Sequence, residues 1–271
     1  MEPKEKKFAF RPLWDAMLDM YRAFAEICDR HGLRYYIYGG TLLGAARHKG
    51  FIPWDDDFDV AMPRRDYRKF FDLYAKELPP HLRGFDFRSL TPQDKFRCMF
   101  GKVVETRDEK VAAIAKAVGL NLSGGVFIDI IPMDGMPCAA LPFYWWALRR
   151  TVWRHAASLS TRPWYTRPFW RAVAALWRIP ENERERGVRF EEWLMRWDYD
   201  SAPAVESYLA DGRRLKMRKL SSASMGEPVY LPFEGVKMPC PREWEKYLEI
   251  IYGDWRELPP PEKRVPSHQE A

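Results

Sequence analysis

The chain has 271 residues, 46% of them apolar and 15% aromatic, enough to bury a sizeable core and far from the composition of a disordered polypeptide. Its 44 basic and 38 acidic side chains leave a net charge of +6, which by itself says only that anionic partners are tolerated. The charged start MEPKEKKFAF runs into no apolar segment, and the longest uncharged, mostly apolar run (137–148) is too short for a bilayer, so the expectation is a cytoplasmic protein, neither exported by a cleaved signal nor membrane-spanning.

In chain order, Leu13, Met17, Met20, Tyr21, Phe24, Ile27 and Cys28 recur at three- and four-residue spacing and predict an amphipathic helix over 11–31, closed by Gly32. YYIY (35–38) follows as a short buried strand, broken by Gly39-Gly40, and a helix starts at Thr41 and runs to Arg47. Gly50 and Pro53 force a loop before Trp54, and DFDVAM (57–62) alternates with period two, as a strand does when one face lines a site. Pro63 opens a helix that reaches Leu78 and stops at Pro79-Pro80. Strands are expected at 85–90 and 96–104, a helix at 108–118, and a strand in VFIDIIP (126–132), whose apolar run only Asp129 interrupts.

Beyond residue 132 the pattern is helical, at 143–159, 170–177, 191–197 and 242–252, with a loose tail from Pro259 and no internal repeat. The division is a catalytic core over 1–137, a basic, aromatic helical lobe over 138–230 and a C-terminal block over 231–271 packed on the core, all in one continuous domain. Cys28, Cys98, Cys138 and Cys240 lie far apart with no CxxC pair, which argues against a zinc finger and a disulfide framework.

The chemistry concentrates in WDDDFDV (54–60). On a strand, Asp57 and Asp59 project to the same face, and two carboxylates so placed repel unless a cation sits between them. Magnesium, or manganese in its place, answers that need, being held by one or two carboxylates plus substrate phosphates. Asp129 is a third carboxylate in an otherwise apolar strand, expensive there unless it completes such a site or finds a salt-bridge partner. Asp55 and Asp56 read equally as a solvated turn. Gly39, Gly40 and Thr41, between a strand and a helix, let backbone N–H groups approach a phosphate. The order of these parts is the layout of the nucleotidyltransferase superfamily.

Between Leu141 and Pro180 stand seven arginines, six of the chain's 12 tryptophans and no acidic residue. Two readings stay open: a segment docked on an anionic membrane, at its inner face, or a helical lobe whose tryptophans pack on the core. Interleaved rings and bases also occur in nucleic-acid binders, but no such module is recognisable and none is expected as a partner.

The stretch YGGTLLGAARHKGFIPWDDDFDVAMPRRDY (38–67) closely resembles the signature of the LicD family, bacterial phosphocholine transferases related to the fukutin proteins. VFIDIIPMDGMP (126–137) and FEGVKMPCPREWEKYLEIIYGDWRELPP (233–260) resemble two further blocks of that family. The resemblance implies an α/β fold, a nucleotidyltransferase-like mixed sheet flanked by helices, with a helical, Trp/Arg-rich C-terminal half. It implies transfer of a substituted phosphate, typically phosphocholine from a CDP-linked donor, to a hydroxyl of a cell-surface glycan that can be lipid-linked, with release of CMP. Asp57 and Asp59 then match the metal-binding pair, and Asp129 the third carboxylate, as ligand or as base. Gly39, Gly40 and Thr41 match the phosphate-binding turn, Arg47 and His48 the basic pair, and Lys102 a basic position for the nucleotide. Two alternatives are a nucleotidyltransferase releasing pyrophosphate and a non-catalytic membrane- or glycan-binding module.

Overall fold

A computed structural model describes residues 10–89, 100–119, 122, 125–137, 139–157, 163–180, 182–207 and 220–266. The first helix, α1 (Arg11–Arg30), buries all seven residues of the predicted stripe together with Trp14 and Leu18, and Gly32 ends it at φ +63°. It lies across the sheet, where Phe24 meets Phe70 edge-on at 4.9 Å and Tyr21 meets Phe58 at 5.3 Å.

Five strands, β1 (Tyr36–Ile37), β2 (Asp59–Pro63), β3 (Leu82–Phe85), β4 (Gly101–Glu105) and β5 (Phe127–Met136), form a mixed sheet in the order β1-β2-β5-β4-β3. Only β2 and β5 run parallel, and their register sets Asp59 opposite Asp129. The second half of β5 also pairs with β6 (Ala204–Ser207), so a strand from the chain's helical half joins the same sheet. The mixed α/β architecture with helices flanking the sheet agrees with expectation.

Local boundaries differ in instructive ways. Strand β2 begins at Asp59, two residues late, because Asp55 N–H turns back to the Ile52 carbonyl at 2.9 Å and keeps Asp57 in the approach loop. The helix expected from Pro63 to Leu78 is α3 (Arg64–Lys69), followed by a π turn over Phe70–Tyr74 and a 3-10 turn over Ala75–Glu77. The wider π turn lets two adjacent rings pack inward: Phe70 is fully buried, and Phe71 lies so close to Gly101 that a Cβ there would be 2.1 Å from its ring. Strand β3 precedes its predicted span, and most of the span predicted for β4 before Gly101 lies outside the described residues.

Helix α2 (Gly39–His48) follows β1 directly, and α4 (Asp108–Val118) fills its predicted span. The helical half contains α5 (Ala140–Ala157), α6 (Arg167–Leu176), α7 (Glu183–Leu194) and the single turn α8 (Ser222–Met225). A hairpin of β7 (Val229–Phe233) and β8 (Val236–Cys240), unforeseen in the sequence, precedes α9 (Trp244–Tyr252). Residues after Pro259, expected to be loose, form a 3-10 turn at Pro261–Lys263, and Arg264 stands 5.7 Å over the Trp54 ring. No described helix is long and apolar enough to cross a membrane.

Candidate active site

Alternation around residue 58 builds the site. Phe58 points into the core, fully buried among Tyr21, Phe51 and Phe233, so its neighbours Asp57 and Asp59 turn the other way and line a cleft of about 630 Å³. Asp55 lines it too, its backbone carbonyl accepting from Trp14 Nε1 at 2.9 Å. Its Oδ2 is buried and makes no hydrogen bond.

The glycine pair shapes this floor. Gly39 adopts φ +52°, and a Cβ there would stand 2.7 Å from Asp59 Oδ2; at Gly40 it would stand 3.2 Å from Asp55 Oδ2. Glycine is thus required at residue 39 by backbone conformation, and a side chain at either position would press on a cleft carboxylate. Gly39 N–H donates to the Tyr247 hydroxyl at 3.3 Å. Thr41 lies beneath the cleft, buried, its Oγ1 accepting from Asp59 N–H at 2.8 Å, and so fixes where β2 begins.

From the cleft inward, three side chains form a row across three neighbouring strands. Asp59 on β2 is in register with Asp129 on β5, and Asp129 with Lys102 on β4. Residues so opposed share a face at contact distance. Lys102 forms a buried ion pair with Asp129 and also stands 3.5 Å over the Phe127 ring. The structure therefore brings all three aspartates and Lys102 to one end of the sheet, but Asp129 and Lys102 pair with each other rather than lining the cleft. Among the described residues no three His, Cys, Asp or Glu side chains form a ready-made metal cage.

The electrostatics match the geometry. Burial, then the charges of Asp57 and Asp129, push the Asp59 carboxyl well above the ordinary range, with Lys102 opposing. Burial, then Asp57 by charge and hydrogen bond, and then Asp59 and Asp56 push Asp55 up likewise. A donor set of half-buried, mutually repelling oxygens at an open cleft suits a hard divalent cation that takes one or two carboxylates and fills its shell from substrate phosphate. Asp57 and Asp59 supply oxygens of the kind such an ion takes, from the same side of the cleft.

Arg47 reaches the cleft from the last turn of α2. Its Nη1 donates to the Glu257 carbonyl at 2.9 Å, its Nε is buried with no hydrogen-bond partner, and burial lowers its pKa. His48 is not among the residues lining the cleft. The opposite wall, to which no role was assigned from sequence, comes from the C-terminal block: Tyr247, Tyr252 and Trp255 with Asp254 and Glu257, facing Trp54. Two of these rings already carry cations, Arg264 over Trp54 and Arg256 at 4.2 Å over Trp255. The sequence signal for this wall was the density of aromatic residues in 244–255.

Comparison with known proteins adds to the geometry. A domain family described as LicD/FKTN/FKRP, nucleotidyltransferase domain, matches residues 32–114, which hold α2, β2 and the cleft aspartates. The lipopolysaccharide cholinephosphotransferase LicD of Haemophilus influenzae is 26% identical over 281 aligned positions covering 98% of both chains. Ribitol 5-phosphate transferase FKRP of Homo sapiens is 33% identical over 89 residues, 32% of this chain and 18% of that protein. An uncharacterized protein of Rickettsia prowazekii, RP689, is 46% identical over 62 residues, 23% of this chain and 21% of that one.

Proposed function

Because this chain belongs to the LicD family of phosphotransferases, we propose that it moves phosphocholine from CDP-choline to a hydroxyl of a cell-surface glycan and releases CMP. The observation that carries the reading is the convergence of Asp55, Asp57 and Asp59 on one cleft, with Asp129 and Lys102 in register behind them. End-to-end likeness to a cholinephosphotransferase supports the transferred group.

Asp57 and Asp59 would hold magnesium or manganese, which supplies positive charge against the donor's diphosphate. Arg47 lines the same cleft and adds positive charge toward that anion, and the N-terminus of α2 opens beside it at Gly40. The acceptor oxygen bonds to the choline-bearing phosphorus as the bond from that phosphorus to the bridging oxygen breaks, and CMP leaves with the electron pair. The hydroxyl's proton passes to a carboxylate of the cleft floor, where Asp55, Asp57 and Asp59 converge. Asp129, ion-paired with Lys102, acts on Asp59 through its charge. Thr41 positions Asp59 through its backbone N–H. On the wall the half-exposed Tyr252 ring, with Asp254 and Glu257 adding negative charge, offers a π face to a quaternary ammonium.

The test is product analysis by phosphorus NMR of purified protein with CDP-choline, magnesium and candidate glycans. One CMP per transferred phosphocholine is expected. Pyrophosphate released from a nucleoside triphosphate would replace this reading with nucleotidyl transfer, and no turnover across a donor panel would leave the non-catalytic module.

A further inference from the structure

We infer that α5 and α6 together form a surface that docks on a membrane bearing anionic lipid. Helices of a folded domain ordinarily turn their apolar stripe inward. On α5, Leu141, Tyr144, Trp145 and Leu148 follow the spacing of one helical face, and all are exposed, Leu141 by 71% and Trp145 by 59%. Tyr165, Phe169 and Leu176, on and just before α6, repeat that pattern and are 67%, 63% and 81% exposed; Trp164 beside them is 78% exposed.

Both helices also have an inner side. Val152 and Trp153 of α5 are buried, with Trp153 stacked on Phe190 of α7 at 5.5 Å. The outer stripe is therefore additional to the packing that holds the lobe. Trp145 meets Trp177, at the end of α6, at 6.4 Å, so the two outward stripes lie side by side and make one patch. A contiguous exposed apolar patch of this kind marks an interaction site.

Charge selects the occupant. Arg171 and Arg178 are exposed beside the patch, and 141–180 contains seven arginines and no acidic side chain to offset them. A segment with outward-facing rings, exposed arginines and no acidic residue of its own complements anionic headgroups above an acyl boundary. Indole and phenol rings suit that boundary because each pairs an apolar body with a polar tip. No described helix is long and apolar enough to cross the bilayer, and the proposed contact is with its surface.

The experiment is co-sedimentation of the full chain with vesicles of phosphatidylcholine alone or mixed with phosphatidylglycerol. Wild type is expected to pellet with the mixed vesicles at low salt and not with the neutral ones. It should be released about tenfold at roughly 1 M salt, where the screening length falls to about 3 Å. A Leu141→Ser, Phe169→Ser, Leu176→Ser triple variant, all at exposed positions, should lose vesicle binding about tenfold while keeping its circular dichroism spectrum. Three results would overturn the proposal. They are no pelleting with the mixed vesicles at low salt, equal pelleting of wild type and triple variant, and a wild-type dimer in sedimentation velocity that the triple variant abolishes, which would assign the patch to a second copy of the chain.

Discussion

The sheet and the α5–α6 layer dispose of their side chains in opposite senses. Around β2 the apolar residues turn inward, Phe58, Val60 and Met62 all fully buried, and the charged ones gather at a cleft. On α5 and α6 large apolar residues face outward, and the charged side chains of their own segment are of one sign only. Each region thus carries an unresolved electrostatic or solvation cost, and the sign of that cost tells what each is built to meet. On the proposed reading, the crowded carboxylates meet a metal's positive charge, whereas the exposed rings and arginines meet an apolar layer beneath negative headgroups.

The largest effect expected on this contrast is catalytic. Asp59→Asn should lower kcat by roughly 10²- to 10³-fold, yet leave the melting temperature unchanged or higher, since it removes a carboxylate that burial and Asp57 and Asp129 disfavour. A fall in stability matching the loss of activity would mean Asp59 is a structural group. Next comes Lys102→Met, which leaves Asp129 without its ammonium and should cost about 3–5 kcal/mol in urea unfolding. Adding Asp129→Asn should recover much of that cost, and strict additivity would show that the two side chains are uncoupled. The smallest effect belongs to the outer layer. Leu176→Ser should shift stability by less than about 0.5 kcal/mol and leave turnover on a soluble acceptor unchanged. A cost of several kcal/mol there would mean that the residue is core and the contrast is false.

Much of this was legible from local pattern. Period and punctuation found α1 and α4, which each bury one face, and an apolar run broken only by Asp129 found the strand that holds it, buried on both faces. The two-residue alternation through Phe58 pointed Asp57 and Asp59 to the same side. What escaped depends on residues far apart in the chain. Lys102 meets Asp129 only through antiparallel register 27 residues away. Asp55 reads as a turn residue until Trp14 and Gly40 close around it. The β7–β8 hairpin was hidden because Pro232 and Pro239 interrupt its strands, tolerable only in a small two-stranded ribbon with open edges. In the helical half, spacing located the helices but could not say which way their apolar stripes face, since an inward and an outward stripe share one period.

The central claim is that Asp57 and Asp59 grip a divalent cation against a substrate diphosphate. Electron paramagnetic resonance of manganese titrated into the protein with CDP-choline tests it without any need for turnover. The account predicts manganese bound by wild type in the presence of the nucleotide and released in Asp57→Ala and Asp59→Asn proteins that keep their fold. Manganese held equally by wild type and both variants would contradict it.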